Sequence, residues 1–437
     1  MSRGDLFFSL ANQIWRVAST PLTLIVLPLF LEPELQGYWY TFLGIASLIA
    51  LADLGASNVA THMVAHESVW ISISDKKEPI GSEIRINALG SIFQSVHRRI
   101  AKRAAAILPC VFIIGSYIFS THSKDLTWLT PWIIICASFA ISVLNNFLLC
   151  VIEGCGKIAS SQKIRATSSI AGFITLVAML FISPSLYSLA LSSLAGSVLC
   201  LAIVLKKYGI FFAALRNSAS DKVEEQNLKK LHSLLRNTAI SFFGGTIAFQ
   251  TIIPIVFYLK GPISAGQAGM SLAIFTTIHA MSCIWLNTYI PKFCGMIAKN
   301  NLRVAKNGFS KFSTLTITSY LAGSALFFLF LPKIAAVTSF EERITNITNL
   351  YLIAAGWLFQ TMTWIIATYT RAQKEEPFHA ISAITGIALF LSNILLINKI
   401  SFEKFFIIFF TYCIVSLLCF ALMHNQKFTS THNRPLV

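Results

Sequence analysis

The chain has 437 residues, 55% of them hydrophobic and 12% charged, with a mean hydropathy of +0.69 and a formal net charge of +16. A soluble domain carries about 25% charged residues, so this composition excludes a soluble globular protein and predicts an all-α polytopic membrane protein. In such a protein the excess Lys and Arg is topology signal on cytoplasmic loops and not a nucleic-acid footprint.

The Met1 to Asp5 segment lacks the apolar core and small-residue cleavage site of a removable signal peptide. A crossing helix needs about 20 apolar residues. Hydropathy predicts twelve, at roughly 8–31, 38–62, 104–121, 128–152, 168–184, 186–205, 237–259, 265–290, 312–332, 346–370, 379–397 and 403–423. The short gaps at 32–37, 184–186 and 260–264 read as tight turns. Of the 34 Lys and Arg, six lie in or beside loops after odd-numbered spans. Another 27 lie in the N-terminus, the loops after even-numbered spans and the C-terminus. This asymmetry places both termini in the cytoplasm.

Two cytoplasmic connections are long, 63–103 and 206–236. In the first, Leu89, Ile92, Phe93, Val96 and Ile100 follow helical spacing among basic residues. That pattern predicts an amphipathic interfacial helix that binds acidic lipid headgroups. The second divides the chain into an N-terminal six-helix bundle (1–205), a linker (206–236), a C-terminal six-helix bundle (237–423) and a cytoplasmic tail (424–437).

The halves carry a repeat. The connection after span 1 reads PELQG, Pro33 to Gly37, and the one after span 7 reads PISAG, Pro262 to Gly266. Both Pro and Gly keep an offset of 229 residues, which predicts two pseudo-symmetric bundles related by an axis along the membrane normal.

Two charges interrupt the apolar runs, Arg16 in span 1 and Asp53 in span 2. Each lies roughly 9–13 Å from the cytoplasmic end of its span at 1.5 Å per residue. The spans are antiparallel neighbours, so the two side chains are expected to meet. Asn12, Arg16, Ser19 and Thr23 share one face of span 1. Asp53, Ser57 and Thr61 recur at four-residue steps on span 2, with Asn58 beside them. Span 4 adds Asn145 and Asn146. Span 7 offers Asn237, Ser241 and Thr251, with Gln250 near that face. Span 8 offers Thr276, His279, Cys283 and Asn287, and span 10 Gln360, Trp364 and Thr368.

Each has a plainer structural reading. Arg16 could snorkel to the headgroups with Asp53 as its structural partner. Asn145, Asn146 and Gln360 could join helices, His279 could be a satisfied core histidine, and Glu153 reads as a solvated boundary residue. The nine cysteines lie mostly in apolar runs without a C-x-x-C pair and read as small hydrophobes, with no metal site and no cofactor.

The polar start of span 1, the Pro-Glu-x-x-Gly-Tyr turn at Pro33 to Tyr38 and the stretch ASLIALADLGASNVATH, Ala46 to His62, carry a family likeness. The chain resembles polysaccharide transporters of the multidrug/oligosaccharidyl-lipid/polysaccharide exporter superfamily, and within it the O-antigen flippases of the Wzx type. That resemblance implies two six-helix bundles around a central cavity open to one side at a time. It implies movement of a polyprenyl-pyrophosphate-linked oligosaccharide between leaflets of the bacterial inner membrane. The implied partners are membrane lipids and, in the assembly pathway, polysaccharide polymerase and chain-length proteins. The polar faces would then line the cavity. Amides, hydroxyls and aromatic faces suit sugar hydroxyls, and Arg16 with Arg236 would meet the pyrophosphate.

Three other functions compete. A drug or metabolite cation antiporter of the same superfamily would use an acidic membrane site, and here the buried charges roughly balance. A polymerase or glycosyltransferase would carry a long outer loop with catalytic residues, whereas the longest here, 333–345, is short and no enzymatic motif occurs. A membrane anchor would need no polar faces on several spans.

Overall fold

The computed structural model describes residues 3–68, 71–73, 78–122, 127–218, 239–240, 242–298, 301–337, 339–372, 378–396, 399, 402 and 405–432. Among these, eleven helices are long and apolar enough to cross a membrane. In chain order come α1 (Arg3–Phe30), α2 (Pro33–Ser47), a 3-10 turn (Leu48–Ala52) and α3 (Ala56–Ser68). An antiparallel hairpin follows, β1 (Ile71–Ile73) and β2 (Pro79–Gly81), then α4 (Glu83–Ser120), α5 (Leu129–Gly154), α6 (Ile158–Ile182) and α7 (Leu186–Asn217). The second half has α8 (242–250), α9 (Ile252–Lys260), α10 (Pro262–Ser282), α11 (Ile284–Ala298) and α12 (Leu302–Val337). It ends with α13 (Ile347–Ala372), α14 (His379–Leu396) and α15 (Phe406–His432). The chain is an all-α polytopic membrane protein.

By contact it divides into two compact units, Met1–Ser19 with Thr41–Thr246, and Thr20–Tyr40 with Ile247–Val437.

Several expected elements differ. Span 1 is a 28-residue helix, but its continuous apolar part is only Ala18–Phe30, because polar side chains occupy its first turns. Span 2 is not continuous. It breaks at Asp53–Gly55, where Leu54 (φ 44°) and Gly55 (φ 76°) both take left-handed backbone. Span 8 is continuous: α10 passes into α11 through Cys283, which keeps helical backbone, donates its N–H to the His279 carbonyl and accepts the Asn287 N–H, both at 3.0 Å. The repeat offset of 229 carries Leu54 onto Cys283, so the left-handed break of the first half has no counterpart there. The PELQG and PISAG stretches are not turns. Pro33 and Pro262 open α2 and α10, a position where the missing N–H costs nothing.

The expected interfacial helix is also corrected. Residues 83–120 form one 38-residue helix, about 57 Å long. Its Leu89, Ile92, Phe93, Val96 and Ile100 are buried inside the protein. Phe93 stacks on Phe147 of α5 at 5.3 Å and on Phe212 of α7 at 5.5 Å. The apolar stripe therefore faces other helices that also run past the membrane. For the same reason α7 continues to Asn217, twelve residues into the expected linker, and α12 spans Leu302–Val337.

In the second unit the two repeated motifs meet. A Cβ added at Gly37 would fall on the Pro262 carbonyl, and one at Gly266 would lie 3.0 Å from Gly37 N and 3.2 Å from Pro33 O. Gln36 is buried at this crossing, and its Nε2 donates to the Gly266 carbonyl at 3.1 Å and to the Arg343 carbonyl at 3.2 Å. Arg343 in turn donates from Nη1 to the Leu31 carbonyl. Burial pulls the Arg343 guanidinium pKa down, while Glu342 and Glu32 act to hold it up. Small residues let helices approach where hydrophobicity alone cannot drive association.

This packing generates a stability test. Gly37→Ala forces a methyl onto backbone and should destabilise the protein by about 1–3 kcal/mol. Gly245→Ala places its Cβ in open space on α8 and should leave stability unchanged or slightly raised. Thermal unfolding of both purified variants in detergent checks this; equal midpoints would contradict the crossing.

Candidate functional site

The first polar cluster lies in the first unit and begins at the break in span 2. A helix restarting inside hydrocarbon leaves its first N–H groups without water. Asp53 supplies the acceptors. Its Oδ1 accepts the Ser57 N–H at 3.0 Å and the Ser57 hydroxyl at 2.5 Å, and its carbonyl accepts the Ala56 N–H at 2.8 Å. Asp53 is thus the cap of α3. Among the described residues Arg103 of α4 acts on it through its charge; the side chain of Arg16, the expected partner, lies outside the described residues.

Beyond the cap, α3 is tied to α5. Thr61 donates to the Cys150 carbonyl at 3.2 Å and Ser68 to the Gly154 carbonyl at 2.8 Å. The chain then turns at Gly156 (φ 76°), which returns the first turns of α6 against the end of α5. That return makes Glu153 the hub of a network. Its Oε1 accepts from Ser161 Oγ at 2.7 Å, Gln162 Nε2 at 3.1 Å and Arg165 Nε at 3.3 Å. Gln162 Oε1 accepts from Asn12 Nδ2 at 2.7 Å, and Arg165 Nη1 donates to Asn146 Oδ1 at 3.3 Å. Trp15 Nε1 donates to Ser169 Oγ at 3.0 Å on the same helix pair. The expectation that Glu153 is solvated is therefore corrected: it is a partly buried, charge-paired acceptor.

The second cluster lies in the second unit beside Cys283, where α10 continues into α11. Thr361 donates its hydroxyl proton to the Trp357 carbonyl at 2.7 Å, so its oxygen accepts from His279 Nδ1 at 2.8 Å. This fixes the neutral tautomer and leaves His279 Nε2 as the acceptor. Trp357 lies over the His279 ring at 5.1 Å, stacks on Phe249 at 5.4 Å, and Trp364 meets His279 edge-on at 6.3 Å. Two buried polar atoms here, Trp357 Nε1 and Gln360 Oε1, have no hydrogen-bond partner within the protein. Buried polar atoms of this kind are normally satisfied by water or a ligand.

Sequence reasoning named several residues that the two clusters bring together: Asn12, Asp53 and Asn146 in the first unit, and His279, Gln360 and Trp364 in the second. Asn145 is used between helices, its Nδ2 donating to the Ser197 carbonyl at 2.8 Å. Asn58 and Asn287 are exposed and Gln250 is half-buried. Arg236, Asn237 and Ser241 lie outside the described residues. Missed were Arg103, Gln162, Arg165, Trp357 and Thr361. Ser161, Gln162, Arg165 and Ser169 do recur at helical spacing, but hydropathy began span 5 at 168 and left that stripe in a loop.

No protein-family profile and no curated protein matches the sequence. Solved structures do match the fold. An inward-facing multidrug resistance MATE family transporter of the MOP superfamily is similar, with TM-score 0.60 and 14% identity over 100% of this chain and 97% of that one. The lipid II flippase MurJ in an inward closed conformation gives TM-score 0.59 and 11% identity, over 97% of this chain and 87% of that one. An outward-facing MATE transporter of the same superfamily gives TM-score 0.56 and 12% identity over 99% and 97%. The chain therefore has the fold shared by MATE transporters and the MurJ flippase.

The capping role separates two substitutions. Asp53→Asn keeps an oxygen acceptor for Ser57 and should retain most of the wild-type stability. Asp53→Ala removes it and should cost about 1 kcal/mol, with a parallel loss of folded yield. Yield and thermal midpoint of the two variants measure this. If Asp53→Asn falls as far as Asp53→Ala, the charge and not the cap is what matters.

Proposed function

We propose that the protein is a membrane transporter that flips a polyprenyl-pyrophosphate-linked oligosaccharide, an O-antigen or similar repeat unit, from the cytoplasmic to the outer leaflet by alternating access. The setting is a bacterial inner membrane with both termini cytoplasmic, upstream of a polymerase and chain-length proteins. The fold shared with MATE transporters and a lipid II flippase supports membrane transport.

The observation that carries the choice of cargo is the state of the carboxylates in the first unit. Asp53 is occupied by Ser57 and acted on by Arg103, and Glu153 is held by Arg165, Gln162 and Ser161. A cation antiporter needs a carboxylate free to exchange one cation for another. What these helices offer instead is amides, hydroxyls, tryptophans and arginines, which are chemically matched to sugar hydroxyls and a pyrophosphate. In this reading Arg16 and Arg236 meet the pyrophosphate, while Asn12, Asn58, Asn146, Gln250, His279, Asn287, Gln360 and Trp364 meet the glycan. The prenyl tail stays in lipid.

The test is a deletion strain complemented with wild type, Arg16→Lys or Arg16→Ala at equal expression, scored for surface polysaccharide and for the leaflet of the lipid-linked precursor. Deletion should abolish surface polysaccharide and strand the precursor on the cytoplasmic face. Arg16→Lys should restore part of it, and Arg16→Ala less, because only arginine offers a planar pair of donors. Normal surface polysaccharide in the deletion strain, with no second flippase present, contradicts the proposal.

A further inference from the structure

Between them α4, α5 and α7 leave a groove of about 910 Å3 in the first unit. Its lining changes character along its length. At the membrane end it is Leu144 and Leu148 of α5 with Leu201 and Leu205 of α7. At the cytoplasmic end it is Gln94, His97 and Arg98 of α4 with Arg216 and Asn217 of α7. Lys206 and Lys207 follow Leu205 on α7, and Lys102 and Arg103 follow Arg98 by about one turn on α4, so basic residues extend along the groove toward the side that the charge asymmetry of the loops reads as cytoplasmic.

Among the described residues no carboxylate lines the groove, while Arg98 and Arg216 are both exposed at its rim. Gln94 donates from its side chain to the Arg216 carbonyl, which ties the end of α7 to α4 and holds the second guanidinium beside the first helix. His97 lies against Phe93 at 5.9 Å and feels the charge of Arg216. Midway, Gly209 lines the groove, and a Cβ added there meets nothing within 4 Å, so the space in front of it is open. The volume falls in the range of about 300–1,000 Å3 typical of small-ligand sites.

An apolar trough that ends in two exposed guanidiniums is complementary to an amphiphile with an anionic head. We propose that this groove binds an anionic phospholipid of the cytoplasmic leaflet, with its phosphate between Arg98 and Arg216 and an acyl chain along Leu144, Leu148, Leu201 and Leu205. Bidentate phosphate recognition suits arginine, and basic pockets between helices on the cytoplasmic side are a known way to hold anionic headgroups. The bound lipid pins α4 to α7 at the end of the first unit. This site goes beyond the transport cargo and does not depend on which cargo is moved.

The experiment uses the full-length protein, delipidated in detergent and titrated with phosphatidylglycerol, phosphatidylcholine or water-soluble glycerol phosphate, read by native mass spectrometry. Phosphatidylglycerol should bind at one saturable site and phosphatidylcholine far more weakly; glycerol phosphate should not compete. Arg98→Ala with Arg216→Ala should weaken phosphatidylglycerol about thirtyfold, as expected for removing two cations at a membrane surface. Gly209→Phe leaves both arginines in place and fills the trough, and it should abolish binding. The double Arg98→Lys, Arg216→Lys variant should bind between wild type and the alanine pair, which guards against a folding defect. Equal binding of both phospholipids, competition by glycerol phosphate, or wild-type binding by Gly209→Phe would each overturn the proposal. Displacement by undecaprenyl phosphate at stoichiometric concentration would also overturn it, by making the groove a cargo site.

Discussion

Hydrocarbon offers no hydrogen-bond partner, and most of what is distinctive in this chain follows from that one constraint. A helix interrupted at membrane depth must find its own acceptors, so the break at Leu54 and Gly55 comes with a carboxylate one residue before it and a serine two residues after. A partly buried charge is matched as well, so Glu153 gathers Ser161, Gln162 and Arg165. The polar residues of the first unit are best understood as mutually dependent sets.

The same constraint explains the repeat. Two copies of Pro-x-x-x-Gly, 229 residues apart, open equivalent helices, and the glycines bring those helices into backbone contact in the second unit. The offset also places Cys283 opposite Leu54, and there the halves differ. At Leu54 the helix breaks in left-handed backbone and is capped by a carboxylate. At Cys283 the helix continues, its N–H bonded to the His279 carbonyl at 3.0 Å, and His279 lies against Trp357 and Trp364. Duplication preserved the order of the helices while this position diverged. Interrupted helices are where irregular backbone can line a polar site in a transporter.

Span number and the duplicated order were legible in the sequence because hydropathy and loop charge are summed over many residues. The break in span 2 was not, because a kink at Asp53–Gly55 leaves the hydropathy of its span unchanged. The long helices were misjudged for a related reason. Leu89, Ile92, Phe93, Val96 and Ile100 have the spacing of a lipid-facing helix, and only the coextension of α5 and α7 shows that protein covers them. For the sites, Asn12, Asp53, Asn146 and His279 stood out as polar residues in apolar runs. Arg165 did not, since it lies where hydropathy falls and the chain read as a tail. Depth alone suggested Arg16 for Asp53, and that side chain lies outside the described residues; the role as a cap for Ser57 was hidden because nothing in hydropathy marks a broken helix.

The account rests on the claim that Glu153 is paired by Arg165 within the first unit and so is not available to a transported cation. The most direct measurement is a double-mutant cycle on Glu153 and Arg165, read as thermal stability and as transport. Glu153→Gln and Arg165→Gln should each destabilise the protein by about 1.5–3 kcal/mol, the worth of a hydrogen bond to a charged group. The double variant should be less damaged than their sum, with a coupling of at least about 0.5 kcal/mol and with transport recovering toward wild type. Additive losses, or a Glu153→Gln variant that is fully stable but has lost all transport, would show that Glu153 serves a transported cation and would contradict the account.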